Sequence, residues 1–131
     1  MDVDVCDLCA TDGRAVFWES PLCRIVGFDD AAYPGYCRVI WNAHVREMSD
    51  LEPADSETPM KVVFAVEDTI RADCAPDNFN LTSLGNQTPH VYWHVIPRWQ
   101  DDRHFSGPIW GLAQRVARSP RAAIDDEALR P

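Results

Sequence analysis

Near the end of the chain, in TPHVYWHVIPRW (residues 88–99), His90, Tyr92 and His94 alternate with Val91, Trp93 and Val95. On an extended strand, residues two apart lie roughly 6.6 Å apart on one face. The three polar rings therefore line up. Imidazoles at that spacing can hold a phosphate, relay a proton or ligate a metal. A half-exposed strand that turns its polar residues to solvent has the same pattern, and spacing alone leaves both readings open. The middle residue is poorly suited to covalent chemistry. An imidazole, with an ordinary pKa of about 6.5, offers a neutral ring nitrogen at pH 7, whereas a phenol titrates near pH 10. No lysine or arginine lies within the strand before Arg98 to lower the Tyr92 phenol.

Other residue groups could do chemistry. Cys6 and Cys9 form a C-x2-C pair in CDLC. A closed structural zinc site needs about four ligands, and the chain has four histidines, His44, His90, His94 and His104, to complete one. A Cys2His2 set is arithmetically available, but the separations match no zinc-finger spacing. Two idle thiols are the plain alternative. Asp29 and Asp30 enter a loop, where a carboxylate can take ribose hydroxyls or simply face water. SLGNQTP (83–89) offers Ser83, Asn86, Gln87, Thr88 and the Gly85 amide, which can cradle phosphate oxygens and are also ordinary turn residues.

These residues need elements to position them. RAVFWE (14–19) and LCRIVGF (22–28) read as two strands of a hairpin broken by Ser20-Pro21. DDAAYPG (29–35) has loop chemistry, and YCRVIW (36–41) is a third strand. The polar stretch 46–59 reads as a connection with one helical turn capped by Ser49 or Asp50. From Thr58 to about Cys74, Met60, Val63, Phe64, Ile70 and Cys74 recur at helical spacing, with Glu67 on the same face. Thr58 suits the N-cap, Pro59 the first helical position, and Pro76 the stop. NFNLTSL (78–84) and HVYWHVI (90–96) are the fourth and fifth strands. Leu112 to Arg118 suits a short helix, and the composition beyond Ser119-Pro120 suits disorder. The sum is an α+β domain over residues 1–110, with a tail over 111–131: a five-stranded, mainly antiparallel sheet, one long helix and short helical pieces.

A length of 131 residues fits one domain, and 46% hydrophobic residues suffice for a core. The net charge of −9 disfavours DNA or RNA as a partner, without excluding a small anion bound locally. There is no apolar run of membrane-spanning length and no secretory signal pattern, so the expected setting is the cytoplasm. There, five cysteines are most simply free thiols or metal ligands. Cys23, Cys37 and Cys74 read as apolar packing residues.

The pieces together resemble the histidine triad (HIT) superfamily of nucleotide hydrolases and transferases. Its signature is His-φ-His-φ-His-φ-φ, with φ apolar, and the chain has His90-Val91-Tyr92-Trp93-His94-Val95-Ile96 followed by Pro97-Arg98. The resemblance also takes in CDLC, the hairpin, the Asp29 loop, RVIWNAHV and the SLGN turn, over about residues 4 to 110. It implies a homodimer that binds a purine nucleotide or nucleoside phosphate. It implies attack of the middle triad histidine on the α-phosphate, giving a nucleotidyl-histidine that water hydrolyses. By position, His94 would contact the phosphate, Ser83, Asn86 and Gln87 would lie by the phosphates, and Asp29 would face the ribose. A structural zinc held by Cys6, Cys9, His44 and His90 is also implied.

Tyr92 is the departure, because it occupies the nucleophile position. A nucleotidyl-tyrosine would be an ordinary aryl phosphodiester, so tyrosine is a poor nucleophile and then a poor leaving group. Three functions follow: a nucleotide-binding protein with turnover lost or strongly reduced, an active hydrolase in which His94 assists water, or a zinc-stabilised scaffold without a ligand.

Overall fold

Apolar runs punctuated by Ser20-Pro21, Pro34-Gly35 and Pro76 give short strands here, and the one long 3.6-residue periodicity gives a helix. The computed structural model describes residues 6, 16–27, 32–86 and 88–116. Its elements are β1 (Val16–Glu19), β2 (Cys23–Gly27), β3 (Cys37–Trp41), α1 (Thr58–Cys74), β4 (Asn78–Thr82) and β5 (Tyr92–Arg98). The strands form one antiparallel sheet in the order β1-β2-β3-β5-β4, the expected five-stranded α+β architecture.

Strand alternation divides the sheet into two chemically different faces. Ile25, Cys37, Val39 and Val95 pack against Val63, Val66 and Ile70 of α1 to form the main core. The other face carries Val26, Arg38, His94 and Thr82 as one cross-strand row, and Arg24, Ile40 and Tyr92 as the next. The helix covers one face only, and the other is left for chemistry.

Several boundaries differ from the sequence reading. Glu57 takes the N-cap position instead of Thr58, which is already helical and continues a turn from Asp55 (N–H to carbonyl, 3.0 Å). Phe64, expected on the core face, is 55% exposed, while Val66 is buried. One residue is about 100° around a helix, so Val63 and Val66 set the buried stripe and turn Phe64 outward. The helix ends on Ala75 in the left-handed region (φ 44°), directly before Pro76. Ser49 and Asp50 lie inside a 3-10 turn, Met48–Asp50, instead of capping one.

β5 begins two residues later than expected and ends two later. His90 N–H turns back onto Thr88 (2.8 Å), and Val91 pairs with Trp41 and Val45 outside the regular ladder. At the other end, Pro97 and Arg98 extend β5 against β4 alone, past the last residue paired to β3. Residues 112–116, the described part of the expected short helix, are not helical. Among the described residues, no helix is long and apolar enough to cross a membrane.

Candidate functional site

β5 contributes both Tyr92 and His94, and β3 sets Arg38 directly opposite His94. His94 is 4% exposed. Its Nδ1 lies 2.7 Å from the Tyr36 hydroxyl, and its ring meets Tyr36, Tyr92 and Trp110 edge-on at centroid distances of 5.6, 5.0 and 5.1 Å. Nε2 has no hydrogen-bond partner among the described residues. It is the nitrogen left for a ligand, as a donor or an acceptor according to the tautomer that Tyr36 selects. Burial pushes the imidazole down to about 4, with the Arg38 charge acting in the same sense. His94 is therefore neutral at pH 7.

Tyr92 is buried, and its hydroxyl donates to the Leu84 carbonyl at 2.7 Å. The Arg38 guanidinium lies over its ring, 5.9 Å from the centroid. The strand itself holds no cation before Arg98, but the neighbouring strand supplies one. Burial nevertheless raises the phenol above its ordinary value, and the Arg38 charge only opposes that rise. The hydroxyl is protonated, donated and tied down, the opposite of an activated nucleophile.

His90 sits just before β5, 1% exposed, at the other end of the row. Its Nε2–H donates to the Trp41 carbonyl at 2.6 Å, which turns Nδ1 toward Cys6 Sγ at 3.4 Å. The His44 ring lies 5.3 Å away, centroid to centroid. One ligand atom each from Cys6, His44 and His90 falls within 4.8 Å of the others. Burial, against the opposing Trp41 bond, lowers His90 and favours its neutral form.

A second polar cluster fastens the segment after β5. The Arg98 guanidinium pairs with Asp102 through Nε to Oδ2 (2.8 Å) and Nη2 to Oδ1 (3.0 Å), both side chains being 2% exposed. Asp102 also accepts the N–H groups of Trp99, His104 and Phe105. Burial pushes its carboxyl up, but the Arg98 and backbone donors outweigh that and hold it at about 2. Tyr33 donates to Asp102 at 3.2 Å and meets His104 Nδ1 at 2.6 Å, so His104 belongs here and not with Cys6, His44 and His90. Burial and the Asp102 charge push the Tyr33 phenol up to about 12. Gln114 and Arg115 bond back to Arg103. The loop so closed carries Ile109 onto Tyr33, Tyr36 and Ile96, and Trp110 onto His94.

A family model, the HIT domain, matches residues 12–101. The chain belongs to the HIT family. Solved structures agree on the fold of this HIT protein. A histidine triad protein from Bradyrhizobium japonicum is similar at 24% identity and TM-score 0.70, covering 80% of this chain and 78% of that one. One from Marinobacter aquaeolei VT8 is similar at 25% identity and TM-score 0.69, covering 79% and 76%. A Zn-bound histidine triad family protein from Mycobacterium smegmatis is similar at 18% identity and TM-score 0.61, covering 78% and 81%. No match is found among curated proteins.

Within this HIT protein, Tyr92, His94, Cys6, His44 and His90 come together as two adjoining clusters on one face. Ser83 and Asn86 lie in an exposed turn after β4, beside the Leu84 carbonyl that holds Tyr92. Cys9, Asp29, Asp30 and Gln87 lie outside the described residues. Sequence reasoning missed Tyr36, Arg38 and Trp110. The period-two alternation of YCRVIW (36–41) was a usable signal for the first two, since it puts Tyr36 and Arg38 on one face. Nothing local marks Trp110.

Proposed function

We propose that this HIT protein binds a purine nucleoside phosphate on the α1-free face of its sheet and turns it over slowly or not at all. The observation that carries this reading is the Tyr92 hydroxyl, which is protonated, buried and donated to Leu84 where the family resemblance expects a nucleophilic imidazole. His94 Nε2 is offered to a phosphate oxygen; by the family resemblance, Ser83, Asn86 and Gln87 would serve the phosphates and Asp29 the ribose. Calorimetry with AMP or GMP tests the pocket. Micromolar to sub-millimolar binding supports it, and no heat or competition at millimolar ligand ends it.

The donor set of Cys6, His44 and His90 fits zinc. Zn–S and Zn–N bonds of about 2.3 and 2.0 Å at a tetrahedral angle put two ligand atoms roughly 3.5 Å apart, and Cys6 Sγ and His90 Nδ1 are 3.4 Å apart. The Nε2–H bond to Trp41 is the outer bond that orients a metal-bound histidine. Cys6, His44 and His90, with Cys9 as fourth ligand, would hold the ion. Bound there, it supplies structural cross-linking of the N-terminal segment to the sheet. A homodimer is what the sequence resemblance implies.

Turnover by a water that His94 assists is the second reading, favoured by the same available Nε2. Assay of adenosine phosphoramidate and a dinucleoside polyphosphate separates the two. The zinc-stabilised scaffold without a ligand is what remains if nucleotide binding fails and metal is found.

A further inference from the structure

The α1-free face of the sheet is richer in positive charge than the chain around it. The molecule carries a net charge of −9, yet this face sets Arg24, Arg38 and Arg98 on the adjacent strands β2, β3 and β5. All three are engaged locally, and they differ in where they stand. Arg98 is bound into Asp102, Asn80 and the Gly107 carbonyl. Arg24 reaches Asn42 Oδ1 at 2.9 Å, toward the metal-ligand end of the face. Arg38 differs in place. It stands on the central strand, directly opposite His94 in register, with its guanidinium over the Tyr92 ring.

We propose that Arg38 is the charge-bearing anchor for the ligand's oxyanion, taking a phosphate beside His94, so that affinity follows the phosphate charge. The inference rests on the nucleotide-site reading above and narrows its ligand class to nucleosides that carry an anionic phosphate. A guanidinium presents a planar fork that matches two phosphate oxygens, and such charge-assisted pairs are the strong ones. His94, neutral at pH 7, donates or accepts a hydrogen bond but brings no charge. The guanidinium is therefore the group of this pair that can balance a phosphate. The aromatic face of Tyr92 supports the cation from below. This gives Tyr92 a part as a platform, with its hydroxyl turned away onto Leu84.

Calorimetric titration of the full chain with AMP and with adenosine tests this, using the parent protein, Arg38→Met and Arg38→Lys. The parent should bind AMP at least about tenfold more tightly than adenosine. Arg38→Met should remove most of that difference and leave adenosine unchanged, with Arg38→Lys intermediate. If Arg38→Met does not fold, arginine-labelled parent protein titrated with inorganic phosphate gives a second readout. The Arg38 Nε–H resonance, assigned by its loss in Arg38→Lys, should shift saturably. Equal AMP affinity in the parent and Arg38→Met, or an unmoved Arg38 resonance, overturns the anchor and leaves the pocket reading standing. A parent that binds neither AMP nor adenosine ends both.

Discussion

At the residue scale, the account turns on two rings of β5. His94 titrates at about 4, below its ordinary 6.5. Between those values the unfolded chain takes up the proton and the folded one does not, so stability falls as pH is lowered from 6.5 toward 4. The loss amounts to roughly 3 kcal/mol at most. NMR titration of the His94 ring protons should give a midpoint near 4, and a midpoint near 6.5 would contradict the burial argument. The Tyr92 hydroxyl is assigned a structural bond and no chemistry. Tyr92→Phe should therefore cost about 1 kcal/mol in urea unfolding and leave nucleotide turnover where it was. A fall in turnover would mean that the hydroxyl takes part after all.

At the element scale, the loop after β5 is held by one buried ion pair. Asp102→Ala removes the partner of a guanidinium that is 2% exposed. It should cost about 3–5 kcal/mol, because it leaves an uncompensated buried charge. A loss below 1 kcal/mol in chemical denaturation would show that Arg98 finds another partner. By contrast, Phe64→Ala on the exposed side of α1 should change stability by no more than about 0.5 kcal/mol. That contrast also marks how far the sequence could be read. Strands such as CRVIW and the α1 repeat were legible, because their periodicity is local. Phe64 was misplaced because Val66 competes with it for the buried stripe, and only packing against Ile25, Val39 and Val95 decides between them. The start of β5 was misplaced because Val91 takes partners from the connection after β3. His90, Tyr92 and His94 were legible as neighbours in sequence. Cys6 meeting His90 across 84 residues was reached only through the family resemblance. Arg38 beside His94 needs the β3–β5 register, and Trp110 over His94 needs a loop closed by Arg103 and Arg115.

At the scale of the whole molecule, two clusters share one sheet face. Cys6, His44 and His90 gather at the start of β5, and Arg38, Tyr92 and His94 follow along it. The first should stabilise and the second should bind. Purified chelator-free protein is expected to carry close to one zinc per chain, and stripping it should lower the melting temperature by several degrees or more. Substoichiometric zinc with an unchanged melting temperature would refute the metal assignment. The central proposal is a nucleotide-binding HIT domain without a competent nucleophile. Its most direct test is the hydrolysis rate of adenosine phosphoramidate by the parent protein and by Tyr92→His, assayed side by side. The account predicts a parent rate near that of buffer and a rise of about two orders of magnitude or more in Tyr92→His. A parent that turns over as fast as Tyr92→His would contradict it.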